Sequence, residues 1–226
     1  MSKSPKIEST NPISPSELVL LNGEQFAKKS MMGNTKLLHT DASVSNSQLG
    51  EAILTVALLA VGTNGNLKFE TRAEKAMLGL RKVNSIYVQL STINNDWPPH
   101  SPEAQLIQIS NEMSQDGKTV KVNELIYSWL QQDSSSPWQT TIDMVKFGLA
   151  ERDMLETSET TKMKVFTTRE YHLPASTAAL TRQYPIEPVY ELLANCEDEQ
   201  KDFCELLKKE IKNAIKRRTE QSDVDF

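Results

Sequence analysis

The chain has 226 residues, of which 24% are charged and 38% hydrophobic, and a formal net charge of -5. That length buries a sizeable core within one domain without disulfides or a structural metal, and 6% aromatic residues is thin for a protein built from sheets. The negative balance excludes a global attraction to polyanions, so contact with nucleic acid or an acidic membrane has to come from a local patch.

Met1 to Ser16 is rich in Ser, Pro and Thr and carries no apolar or arginine-rich signal pattern, so residues 1–16 read as a disordered tail. A short helix is expected from Glu17, where the sequence turns apolar through Phe26. Ser45 to Ser47 then offer N-caps for Leu49–Val61, LGEAILTVALLAV, which is apolar nearly all round. A helix of that kind is buried on every side, and this one is expected at the centre of the core. It falls short of the ~20 residues that span a bilayer.

Gly62 to Asn66 supply turn chemistry, and two alternating runs follow, Leu67–Glu70 and Ser85–Leu90. They form a long hairpin or edge pair around Thr71 to Asn84. Trp97-Pro98-Pro99 marks a loop, and Ser101-Pro102 an N-cap with proline at the first helical position. Helices are expected to about Gln115, over Asn123–Gln131 and over Thr140–Met154, with Ile142, Val145 and Leu149 as the last one's stripe. Lys164 to Tyr171 reads as part of a second, smaller hairpin ending near Pro174. A proline-marked connection at Thr181 to Pro188 leads into one long helix from Val189 to Arg218, acidic first and basic last, an order that complements the helix dipole. On one helix Cys196 and Cys204 would lie roughly 12 Å apart along the axis and could not pair.

The expected fold is thus mainly α, a compact helical bundle around a buried central helix with two β-hairpins. Residues 17–218 form its single globular domain, with tails at 1–16 and 219–226.

Chemistry-bearing patterns are sparse. His39, His100 and His172 have no second ligand at helical spacing, and the cysteines have no basic neighbour to activate them. The carboxylates of Glu197 to Asp202 read as a solvated helix face. With no catalytic constellation standing out, the expectation is a non-catalytic protein with no cofactor. The best binding candidate is Arg72–Lys82, RAEKAMLGLRK, in which Met77, Leu78 and Leu80 are bracketed by Arg72, Lys75, Arg81 and Lys82. Cations drawn to phosphate headgroups and apolar side chains inserted below them add their contributions at an anionic lipid surface. The plainer alternative is a short helix packing Ala76, Met77 and Leu80 against the protein itself. The basic end of the last helix is explained by dipole matching.

The stretch Ser47–Glu70, SQLGEAILTVALLAVGTNGNLKFE, resembles the buried helix and first hairpin strand of the Golgi phosphoprotein three family. Arg72–Lys82 falls where that family carries a membrane-touching hairpin. Ser101–Met113, Asn123–Leu130, Gly148–Leu155 and Val165–Pro174 are similar to its later helices and second hairpin. The resemblance implies a helical bundle that binds phosphatidylinositol 4-phosphate at Golgi membranes and links cargo enzymes to coat. The family's lipid pocket uses a tryptophan and three arginines; the corresponding positions here are Asp41, Gly50, Gln139 and Ile142, so the specific pocket is lost.

The expectation drawn from these readings is a cytoplasmic protein, peripheral to a membrane or acting as an adaptor, that meets anionic lipid headgroups or a protein partner through Arg72–Lys82. The 67–90 hairpin also offers a route to homo-oligomers. The alternative reading is a winged-helix-like DNA-binding or protein-interaction module built from the helices near 103–115, 123–131 and 140–154 and the second hairpin. The last of these helices sets Lys146 and Arg152 beside Asp143 and Glu151, which disfavours nucleic acid.

Overall fold

The computed structural model describes residues 12–31, 34–40, 42–76, 81–92, 96–114, 118–131, 134–162 and 166–222; the side chains at 76, 81, 160–162, 166–168 and 222 lie outside that description. The protein is mainly α. Helix α1 (Pro15–Leu21) opens on Ser14-Pro15-Ser16-Glu17, where the Ser14 hydroxyl accepts from the Glu17 N–H while the Glu17 carboxylate accepts from the Ser14 N–H at 2.8 Å. This capping box, with proline at the first helical position, fixes the helix start ahead of Glu17. The expected tail therefore shortens: Ile13, Ser14 and Ser16 are buried, and of residues 1–16 those from 12 on belong to the described chain.

Strands β1 (Asn34–Lys36) and β2 (Ser43–Ser45) pair antiparallel and deliver the chain to α2 (Asn46–Thr63), whose first turn is capped by the Ser45 hydroxyl. Ile53, Leu54, Val56, Ala57, Leu58, Ala60 and Val61 of α2 are all fully buried. An all-round apolar helix needs partners on every side, and α2 has them: α1, α3 (Pro102–Met113), α5 (Pro137–Ala150), α7 (Glu187–Glu199) and α8 (Lys201–Ser222). Gly65, at φ +78°, turns the chain out of α2.

Strand β3 (Leu67–Ala76) pairs with β4 (Arg81–Leu90) in unbroken register from Leu67↔Leu90 to Ala76↔Arg81. The short-helix alternative for Arg72–Lys82 is thereby corrected on both flanks, since residues to 76 and from 81 are strand. Leu67, Ile86 and Val88 at the base are buried, and Phe69 meets the Phe203 ring edge-on at 5.7 Å between centroids. Strand β5 (Val120–Lys121) adds to β4. Where two hairpins were expected, the described residues hold three small antiparallel sheets: β1–β2, β3–β4–β5, and β6 (Glu156–Lys162) with β7 (Phe166–His172).

Helix α4 (Val122–Trp129) follows β5, and α6 (Ala175–Thr181) occupies part of what reads as a plain connection. The single C-terminal helix over 189–218 is also corrected. Gln200, at φ -130° and ψ 41°, separates α7 from α8, and Lys208 Nζ lies 2.6 Å from Glu197 Oε1; on one straight helix those eleven positions would span roughly 16 Å. The chain folds back at Gln200, and Cys196 and Cys204, both buried and free, interact with each other across the bend. Helix α8 runs on to Ser222, into the expected tail, because Arg217 and Arg218 anchor its end. Arg217 reaches Glu124 at 2.6 Å, and Arg218 donates to the Tyr127 carbonyl and stacks 3.6 Å from the Tyr127 ring centre.

Candidate functional site

The sequence singles out Arg72–Lys82, and the hairpin sorts those residues into different roles. Residues 67, 69, 71, 73 and 75 share one face of the sheet with 82, 84, 86, 88 and 90; residues 68, 70, 72 and 74 share the other with 83, 85, 87 and 89. Arg72 is on the second face and is fully engaged. It donates to Glu70 at 2.6 Å and Thr119 at 2.9 Å and lies 4.6 Å over the Tyr87 ring. Its hydrogen bond holds the Glu70 carboxyl below the usual carboxylate range. Tyr87 in turn bonds Glu74, which takes a 2.6 Å ion pair from Lys121. Arg72 is thus a strut of the sheet, engaged within the protein while its side chain stays partly exposed. A network of this kind is what extends the strands beyond their apolar base.

Lys75 and Lys82 differ. They are register partners across the ladder, both exposed, and neither makes an ion pair among the described residues. Their neighbours on that face, Ala73 and Asn84, are exposed as well. Like charges directly across an antiparallel pair oppose its formation. Arg81 sits at the next position with its backbone paired to Ala76; Met77, Leu78 and Leu80 lie outside the described residues.

A second candidate, absent from the sequence reading, is a groove of about 1280 Å³ between the segment 24–29, α2, α7 and α8. Phe26 and Tyr190 stack at 5.4 Å along it, and Trp138 enters it from α5. Lys208, Lys212 and Lys216 line one wall at intervals of four residues, the spacing of one helix face. Lys208 is paired with Glu197, Lys212 with Glu51 at 3.1 Å, and Lys216 with Glu220 at 3.3 Å. Lys28 and Lys29, on the other wall, are exposed and make no ion pair among the described residues. Thr55, 1% exposed, lines the groove from α2 with a hydroxyl that meets no hydrogen-bond partner. The every-fourth lysine pattern of α8 was the sequence signal for this wall; dipole matching alone does not explain why it faces a groove.

Of the four positions that the resemblance ties to phosphoinositide, Asp41 lies outside the described residues. A Cβ on Gly50 would come within 2.8 Å of the Trp138 ring, so Trp138 covers the place an arginine would leave. Gln139 is held by Thr35 at 2.6 Å and Asp143 at 2.9 Å, and Ile142 is fully buried.

Elsewhere the titratable groups are structural. Glu17 and Glu103 are completely buried side by side at the α1–α3 junction. Glu103 accepts from the Ser16 N–H at 2.9 Å and the Ser16 hydroxyl at 2.8 Å, and Glu17 pairs with Arg152. Burial pushes Glu17 up to about 7 against the opposing pull of Arg152, and burial raises Glu103 as well. Burial lowers Lys146, with Asp143 opposing. Burial and the neighbouring Cys204 raise the Cys196 thiol, the reverse of what activates a nucleophile. Among the described residues no three His, Cys, Asp or Glu side chains gather in a way that would hold a metal, and no helix is long and apolar enough to cross a membrane.

What fold and sites define together is a mainly α protein with a long charged hairpin and a basic-walled groove. No family model, curated protein or solved structure matches the chain.

Proposed function

We propose that the protein is a non-catalytic peripheral membrane or adaptor module that meets an anionic lipid surface with the distal half of the β3–β4 hairpin. The observation that carries this reading is the Lys75↔Lys82 pair. Two exposed lysines are register partners on one face of the ladder, where like charges repel, at the end of the hairpin away from the buried Leu67, Ile86 and Val88; neither makes an ion pair among the described residues, and Lys82 borders a cleft that Asp202 and Glu205 also line. An anionic headgroup relieves that repulsion, and each lysine near such a surface contributes about 1 kcal/mol. The greasy residues Met77, Leu78 and Leu80 between the strands suit the same encounter. The reading also draws on the resemblance to the Golgi phosphoprotein three family at Ser47–Glu70, without its phosphoinositide pocket.

Vesicle flotation tests it. Wild-type protein should float with vesicles containing phosphatidylserine and not with neutral ones, and salt should weaken the association. Lys75→Glu with Lys82→Glu should abolish it. Failure of the wild-type protein to float with anionic vesicles sinks the membrane reading and leaves a protein partner for the same pair.

The winged-helix alternative meets an obstacle in α5, the helix it needs to present. Thr141, Ile142, Val145, Lys146 and Leu149 are buried, against α1, α2 and α8. A helix that enters a major groove needs an exposed face of cations.

A further inference from the structure

The geometry points to a second binding site, independent of the hairpin: the groove between the segment 24–29, α2, α7 and α8 takes an anionic amphiphile, a phosphate or carboxylate on a single acyl chain. Three features select that class. The first is charge left over after internal pairing. Glu51 and Glu197 are neutralised by Lys212 and Lys208, while Glu24, whose contact at 3.1 Å is with His39, offsets one positive charge of the lining. Lys28 and Lys29 remain, adjacent in sequence and exposed, in a protein whose net charge is -5. A localised cationic pair on an acidic body attracts an anionic head.

The second feature is the apolar floor. Ala52, Leu193, Phe26 and Tyr190 give the groove partly exposed apolar lining, completed by the buried Val44, Leu37 and Ile215. A fully hydrophilic anion would leave this surface unused. The volume, about 1280 Å³, exceeds the roughly 300–1,000 Å³ common for compact small molecules and gives room for a chain. The third is Thr55, a lining residue of α2 whose hydroxyl is buried and unpartnered, so that a ligand oxygen reaches it only where the neighbouring side chains give way. A buried hydroxyl without a partner is costly, and a ligand oxygen reaching it removes that cost.

Trp138 makes the site measurable. It lines the groove, whereas Trp97 and Trp129 are buried and donate to Asn66 and Gln105. The experiment is calorimetric titration of the full chain with dodecyl phosphate below its micelle concentration, with tryptophan emission followed in parallel. Stoichiometric binding with an emission shift that disappears in Trp138→Phe is expected. Inorganic phosphate and the neutral dodecyl maltoside should bind at least tenfold more weakly. Lys28→Glu with Lys29→Glu should weaken dodecyl phosphate at least tenfold at unchanged melting temperature, since both side chains are exposed. Thr55→Val should weaken it several-fold.

Lys75→Glu with Lys82→Glu, which tests the hairpin, should leave this titration unchanged, so that the two sites fail separately. Equal binding of maltoside, equal binding of inorganic phosphate, or indifference to the charge reversal at Lys28 and Lys29 would each overturn the assignment. Binding to anionic vesicles without any binding of the soluble monomer would overturn it too, by returning the anion to the hairpin.

Discussion

Charge is used in opposite ways at the α1–α3 junction and at the far half of the β3–β4 hairpin. At the junction Glu17, Glu103 and Arg152 are removed from water, and every acceptor is met by an N–H, a hydroxyl or the guanidinium. On the hairpin Lys75 and Lys82 stay exposed as register partners on one face and make no ion pair among the described residues. The first arrangement holds the N-terminal helix to the body. The second opposes strand pairing a little. The contrast teaches that a cluster of charges is assigned by its partners rather than by its composition. Arg72, read from sequence with the lysines, is partnered like the first kind although it stays partly exposed.

The largest effect should come from breaking the buried set. Arg152→Ala leaves the Glu17 carboxylate buried without its counter-charge, and unfolding at pH 8 should show a loss of about 3–5 kcal/mol. Lowering the pH should restore part of it, because a protonated Glu17 needs no partner.

Wild-type stability should carry the same signature at somewhat smaller size. Glu17 is raised from 4.5 to about 7 in the folded state, so between those values the native protein holds a proton that the unfolded chain has released. The stabilisation is complete below about 4.5 and is lost as pH rises through 7, a change on the order of 3 kcal/mol from this group. Glu103, also raised, contributes in the same direction. Denaturant melts at pH 5, 6, 7 and 8 should therefore give a falling midpoint.

A second variant sharpens the separation of Arg218 from the lysines of its own helix. Arg218→Ala removes a buried stack on Tyr127 and its bonds to the Tyr127 carbonyl, and about 1–3 kcal/mol should be lost in the same melts. Lys212→Ala, at an exposed pair, should stay within about 0.5 kcal/mol.

Much of the architecture was legible in the sequence because its signals are local. The apolar run Leu49–Val61 declares a central helix, and Ser101-Pro102 declares the start of α3. The missed features are those in which a local pattern competes with a distant partner. Ser14-Pro15-Ser16-Glu17 carries a capping box inside a stretch whose composition resembles a tail. The break at Gln200 interrupts a continuous helical pattern that has no glycine or proline to mark it. The strands of the hairpin continue through charged residues because Glu70, Arg72, Glu74, Tyr87 and Lys121 meet across three strands, which no single strand reveals. Lys28 and Lys29 lie far in sequence from α8, so the lysine spacing of α8 marked one wall of the groove and nothing in the sequence joined it to the other.

A small gain in stability accompanies the most direct test of the central claim. Lys82→Glu converts the like-charged cross-strand pair with Lys75 into an opposite-charged one, which should stabilise the hairpin by roughly 0.2–1 kcal/mol while weakening flotation with anionic vesicles. Measured on one preparation, a slightly raised melting midpoint together with lost flotation is the expected result. Flotation retained at full strength by this variant would contradict the assignment of the pair to an anionic surface.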